Sequence, residues 1–261
     1  MSSNADKIFA QYGGYDEDGR SARSRSQRLE FHYTEKAMGE FINKDSRVLE
    51  IGCATGYYAM HFADKCKEYV GVDLFPPHID AFNKKIKDNN LSNVSCMVGD
   101  ATNLVDIASD SFDVVCCFGP MYHLPPDERE LVFKECSRVC KPGGVIAFAY
   151  INKIGVYAGA CVLYPTTYPT KETNKPVLRL GTDDLKPDFF YYTMPEEIEE
   201  AAKHHKLIKI RSMAVDFFFI MDIINKMDDD KFTAYMELAD EMVKYESCAG
   251  MGNHALLICR K

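Results

Sequence analysis

The sequence has no apolar run long enough to span a membrane. Its strongest, around Val215–Ile224, is interrupted by Asp216 and Asp222, far short of the ~20 residues a span requires. The opening Met-Ser-Ser-Asn-Ala-Asp-Lys has no apolar stretch of the kind that drives secretion. There is no Cys-x-x-Cys pair among the 10 cysteines, so a structural zinc site is not expected and no metal is assigned. Cys53 lies in a glycine loop, and Cys116, Cys117, Cys161 and Cys259 lie in apolar runs. The expectation is buried, reduced thiols in a cytoplasmic protein. An excess of positive charge is also missing: 31 Lys and Arg stand against 39 Asp and Glu, a net charge of −8, which argues against a nucleic-acid partner. Arg20, Arg23, Arg25 and Arg28 form one basic cluster, which reads as a solvated helix face or as a holder for an anionic substrate group. Internal repeats and low-complexity tracts are absent.

What is present is enough apolar material, 46% of 261 residues, for one full core with room for an insertion. Residues 1–44 read as a polar N-terminal arm or lid followed by a helix over 29–42. Over 45–150, strands expected at 47–51, 69–72, 94–98, 112–118 and 145–150 alternate with helical stretches. Pro76-Pro77 opens one of those helices, and Lys141-Pro-Gly-Gly144 makes a turn. That alternation implies a parallel sheet with helices on both faces. The rhythm breaks over 151–193, where prolines and aromatics dominate, as in a cap insertion. Residues 194–261 resume with a helix, a strand at 207–214, two helices at about 217–245 and a closing strand at 254–259.

Chemistry is concentrated at strand ends. The first strand runs into Glu50-x-Gly52-x-Ala54-x-Gly56, a loop whose glycines permit a tight turn and close approach of a ligand. Asp73 ends the second strand near the ~20-residue offset at which a carboxylate meets a ribose diol. Gly99-Asp100-Ala101 follows the third strand. Ser111-Phe-Asp-Val-Val makes the fourth, with Gly119-Pro-Met-Tyr-His-Leu124 after it and Arg138-Val-x-Lys141-Pro-Gly-Gly144 downstream. The loop lacks the Gly-x-Gly-x-x-Gly of a nicotinamide dinucleotide site.

In this order the pieces resemble class I S-adenosylmethionine-dependent methyltransferases, with Ala54 standing where the family has its middle glycine. The resemblance covers 45–150 strongly and the remainder weakly. It implies a Rossmann-like, doubly wound, mostly parallel seven-stranded sheet and S-adenosyl-L-methionine as methyl donor. The expected cofactor-binding set is Glu50, Gly52, Cys53, Ala54, Gly56, Asp73, Leu74, Asp100, Ala101 and Phe118, with Asp100 accepting the adenine amino group. His123 and His254 are the candidate general bases. Tyr12, Tyr15, Tyr122 and Tyr150 are the candidate substrate-pocket walls.

A base-gripping tetrad is missing after the fourth strand, where the chain reads Phe118-Gly-Pro-Met121, and no Pro-Cys nucleophile pair occurs. The leading acceptor is therefore a small molecule. A protein, peptide or RNA acceptor follows, as does a catalytically silent S-adenosylmethionine-binding protein. A monomer or homodimer is expected, with no membrane partner.

Overall fold

The computed structural model describes residues 4–13, 19–182 and 189–261. Helix α1 (Asn4–Tyr12) and helix α2 (Arg25–Met38) precede the sheet. The alternating core is β1 (Arg47–Ile51), α3 (Tyr57–Phe62), β2 (Glu68–Asp73), α4 (Pro76–Asp88), β3 (Val94–Val98), β4 (Phe112–Cys117), α5 (Pro126–Val139) and β5 (Cys140–Ile151). The cap holds α6 (Lys153–Leu163) and a short α7 (Lys171–Asn174) that continues as a π-helix over Lys175–Leu180. The chain closes with α8 (Pro195–His204), β6 (Ile208–Ala214), α9 (Asp229–Met242) and β7 (His254–Arg260).

One seven-stranded sheet results, in the order β3-β2-β1-β4-β5-β7-β6. Neighbouring pairs from β3 to β5 are parallel, and β7 runs antiparallel between β5 and β6. This is the mostly parallel, doubly wound Rossmann-like sheet expected. Because side chains alternate across a strand, two cores form. Val48, Val114, Ala147 and Leu256 pack one face under α2, α3, α4 and α9. Leu49, Val115, Phe148 and Leu257 pack the other under α5 and α8. Both faces are covered, which is why the central strands read as continuous apolar runs. Chain order reverses beside β1, between β2 and β4, so the carboxyl ends of these strands open a crevice there.

The structure differs from the sequence expectation in four places. Helix α2 starts earlier, because Ser24 caps it by accepting the Gln27 N–H. Lys141–Gly144 does turn, but inside a strand: Phe112 pairs with Cys140 and Val114 with Val145, so the intervening residues bulge out. The cap is more regular than its prolines suggest. Asn152 caps α6 through Ile154 and Gly155, and Tyr157, Val177 and Tyr192 form a small core with Ile151. The first of the two helices placed at 217–245 is reduced to turns and one 3-10 turn at Ile224–Lys226. There Asp216 accepts the main-chain N–H groups of Asn253 and His254, which ties the chain down just where a helix would have to begin. Among the described residues no helix is long and apolar enough to cross a membrane, and none of the cysteines is in a disulfide.

Candidate functional site

Two hollows meet at the carboxyl ends of β1, β2 and β4. The outer cleft, about 780 Å³ out to its mouth, is bordered by Gly52, Ala54, Asp73, Leu74, His78, Asp100, Ala101 and Phe118 from the core, and by Tyr12 from the arm. The inner hollow, about 660 Å³ counted the same way, is bordered by Arg20, Glu30, Phe31, Glu50, Tyr57, Tyr58 and His254. Gly52, Ala54, Phe118, Tyr122 and Arg20 border both. A ligand crossing this neck would have one end in each hollow.

The neck requires its glycine. Gly52 has φ +80°, and a Cβ there would stand 2.8 Å from Pro120 Cδ and 3.2 Å from the Gly119 backbone. Ala54 also takes a left-handed φ, +44°, a conformation that is unfavourable for a residue with a Cβ by roughly 1–2 kcal/mol. A main-chain bond holds it: the Ala54 N–H donates to Asp73 Oδ2 at 2.8 Å. Oδ1 of the same carboxylate accepts the Phe75 N–H at 2.9 Å and lies 3.3 Å from His78 Nδ1. Asp73 thus locks the glycine loop onto the end of β2. Asp100 is exposed at the far side. Its Oδ1 accepts the Thr102 N–H and hydroxyl, each at 2.8 Å.

Several expected site residues have other work. Gly56 borders neither hollow; a Cβ there would strike the Phe82 ring at 2.4 Å, so its task is packing α4 on the loop. Cys53 is buried beneath the loop against Gly71, and burial pushes its thiol well up. It contributes to the inner hollow's floor, not to proton chemistry. Tyr150 borders the inner hollow, but its ring is 1% exposed and packs in the core on the α5–α8 side of the sheet. It is a core residue more than a pocket wall. Tyr12 covers the outer cleft, away from the inner hollow. Tyr122 borders both. Tyr15 lies outside the described residues.

The two candidate bases have opposite surroundings. His123 is buried, with Nδ1 3.2 Å from the Phe189 carbonyl and Nε2 2.9 Å from the Tyr12 hydroxyl. A carbonyl only accepts, so Nδ1 carries the proton and Nε2 accepts from Tyr12. Burial pushes this imidazole down to about 4. His123 is a neutral latch joining the arm, the loop after β4 and the cap, and its acceptor nitrogen is already engaged.

His254 opens β7 on the other side of the neck. Its Nδ1 lies 2.7 Å from Asp216 Oδ2 and 3.9 Å from Glu30 Oε2. Burial pulls the imidazole down, but the carboxylates of Glu30 and Asp216 outweigh it and leave His254 above the ordinary histidine value. Burial likewise opposes ionisation of Glu30, yet His254 and the paired Arg20 outweigh it and hold that carboxyl below the usual range. Glu50, bonded by the Tyr69 hydroxyl at 2.7 Å, is raised to about 8 by burial.

Sequence reasoning missed Glu30 and Asp216. Asp216 did leave a signal: an acid inside the apolar run at 215–224 must be solvated or partnered, and here it is 2% exposed and partnered. Glu30 left none, being one acid on an amphipathic helix.

Residues 48–144 match the family model described as a methyltransferase domain. Over 108 residues the chain is 29% identical to the ubiquinone biosynthesis O-methyltransferase of Neisseria meningitidis, covering 41% of this chain and 44% of that protein. It is 26% identical over 125 residues to the enzyme of the same description from Acinetobacter baumannii, 48% of this chain and 51% of that one. The chain thus spans about half the length of the curated relatives it matches. Among solved structures, the N-methyltransferase NodS of Bradyrhizobium japonicum, in complex with S-adenosyl-L-homocysteine, superposes with a TM-score of 0.62 at 14% identity, covering 99% of each chain. An S-adenosylmethionine dependent methyltransferase of Mesorhizobium loti gives 0.58 at 14%, covering 89% of this chain and 98% of that one. At such identities the structural likeness establishes the fold.

Proposed function

We propose that this chain, a member of the class I S-adenosylmethionine-dependent methyltransferase family, moves a methyl group from S-adenosylmethionine to a small-molecule acceptor. The nucleoside of the donor occupies the outer cleft and the acceptor occupies the inner hollow. The observation that carries this reading is the shared neck at Gly52, Ala54, Phe118 and Tyr122, which gives the reacting atoms of both partners one meeting point.

The residues present fit such a donor. Asp73 stands at the end of β2 with its oxygens directed by two main-chain N–H groups, as a diol acceptor requires. His78 Nε2 is buried at the cleft with no hydrogen-bond partner among the described residues, and a polar ligand group would supply one. Gly52 leaves the space that a side chain would close. When bound, the donor supplies an already activated methyl on sulfur, so the chain's own task is alignment and exclusion of water. Alignment alone is worth roughly 7–11 kcal/mol of a barrier. Tyr12, latched to His123, covers the outer cleft; Phe31, Tyr57, Tyr58 and Phe118 wall the inner one.

A small acceptor is favoured by the limited size of the inner hollow and by the acidic balance of the chain. The curated relatives named as O-methyltransferases support an oxygen acceptor. A cytoplasmic setting is supported by ten unpaired cysteines. Calorimetry with S-adenosylhomocysteine and with NAD tests the reading. Saturable binding of the first and none of the second is expected; the reverse result ends it.

A further inference from the structure

We propose that the outer edge of β3 is an interface between two copies of this chain. The β3 strands pair antiparallel about a two-fold axis at Cys96 and join the two sheets into one.

The sheet has two edges, β3 and β6, and they are built differently. An open edge strand is a template for another chain, and proteins blunt it with charge, proline, a bulge or a covering segment. In β6, Lys209 is paired with Glu199 and Glu246, and Arg211 with Glu40. The register of β6 on β7 shifts between those two cations, and the 3-10 segment Glu246–Met251 packs against the strand. None of these devices is present in β3. It reads Val94-Ser-Cys-Met-Val98, without charge or proline, and its register on β2 is unbroken. Among the described residues, β2 and α4 are the elements that pack along it. Met97 is 37% exposed and Val98 51%.

The main chain shows which groups are open. The Tyr69 N–H donates to the Asn93 carbonyl, and the Gly99 N–H to the Asp73 carbonyl. Successive residues of a strand turn their N–H and C=O to opposite sides. Asn93, Ser95, Met97 and Gly99 therefore face β2. Val94, Cys96 and Val98 face outward, with no main-chain partner among the described residues.

This strand complements itself. Laid on its own copy about Cys96, Cys96 meets Cys96 and Val94 meets Val98. In each pair both residues direct N–H and C=O at the other, which is the hydrogen-bonded pair of an antiparallel ladder, and the three pairs supply roughly six hydrogen bonds. Directly opposite side chains share a face, so Val94 packs on Val98, and Met97 on Ser95. Farther out, Ser92 falls opposite Asp100 and Asn93 opposite Gly99, so no like charges oppose each other. A slip by one residue would set outward groups against those that face β2, and a slip by two would leave one end of each strand unpaired. β3 runs into Gly99-Asp100-Ala101 at the border of the outer cleft, so the pairing braces the strand from which that border departs.

Sedimentation equilibrium and amide hydrogen exchange over rising protein concentration test the pairing. The mass is expected to climb from 29.6 kDa toward twice that value. The amides of Val94, Cys96 and Val98 should slow in step, by about tenfold or more. Met97→Lys sets two ammonium groups on adjoining strands, and Val98→Pro removes one outward N–H while leaving the ladder to β2 intact. Each variant should keep a cooperative thermal melt, stay at the single-chain mass where the wild type is paired, and lose the protection. A wild type of single-chain mass at every concentration, a dimer whose three edge amides exchange freely, or a dimer that persists unchanged in Met97→Lys overturns the proposal. If a variant fails to melt cooperatively, the exchange of the wild type alone decides.

Discussion

The outer cleft is built mostly from residues between 51 and 124, taken in chain order from successive strand ends. The inner hollow draws on residues 20–34, the glycine loop, and residues 149–150 and 215–256. Each has a histidine at its edge, and the two are tuned in opposite directions. His123 is held neutral by burial and spends both ring nitrogens on joining the arm to the cap. His254 is held above its ordinary value by Glu30 and Asp216 and anchors only one nitrogen. The same side chain is engaged at both ring nitrogens in one hollow and is held at one of them by a carboxylate in the other. What differs is the partner: a carbonyl and a hydroxyl in the first, carboxylates in the second.

The strongest way to break this division is at the glycine loop and the carboxylate that holds it. Asp73→Ala should weaken S-adenosylhomocysteine binding on the order of 10²-fold or more, since hydrogen bonds to a charged group contribute about 1.5–3 kcal/mol each and the same oxygens also hold the glycine loop. Gly52→Val should abolish binding and lower the melting temperature as well, because its Cβ would press on Pro120 at a positive φ. Calorimetry and thermal melts check both; normal affinity in Asp73→Ala would move the nucleoside out of the outer cleft.

The histidines can be separated by pH. The folded-state value of His123, about 4, lies below the unfolded 6.5, so the unfolded chain takes up the proton first. Stability should be lost as pH falls from about 6.5 toward 4, by on the order of 3 kcal/mol, and His123→Phe should flatten that limb of melting temperature against pH. His254 has the opposite sign. Its value is raised in the folded state, so its contribution is fully present below the unfolded value and fades as pH rises through the folded one; His254→Gln should remove that upper limb.

Smaller effects sharpen the picture. Tyr12→Phe removes one hydrogen bond from the latch, so S-adenosylhomocysteine should dissociate up to about tenfold faster in stopped-flow measurements, from a loss of roughly 0.5–1.5 kcal/mol. Ala54→Gly should change stability by under about 1 kcal/mol. It relieves the Cβ at φ +44° but adds freedom to the unfolded chain.

The two hollows also differ in how much of them the sequence exposed. The outer cleft was legible because the polar residues that border it sit at strand ends: Asp73 and Asp100 stand one and two residues from an apolar run, and local spacing marks them. The seven-stranded sheet was legible for the same reason, through its apolar periodicity. The inner hollow was not, because Glu30, Asp216 and His254 come together only when β6 and β7 pair beside β5. His254 was suspected at a strand end, but nothing local distinguished it from His123. Tertiary burial and the identity of the facing carboxylates set the difference, and neither is written in spacing. The misplaced helix at 217–227 has the same origin. Its apolar pattern suits a helix, but the fixed Asp216 and the docking of Phe218 N–H onto the Met251 carbonyl hold the segment in turns.

The most direct test of the two-hollow account is one calorimetric comparison of S-adenosylhomocysteine binding to the wild-type protein, Asp73→Ala and His254→Gln. The account predicts saturable binding by the wild type, loss in Asp73→Ala, and near-wild-type affinity in His254→Gln. Absence of binding by the wild type, or equal losses in both variants, would contradict it.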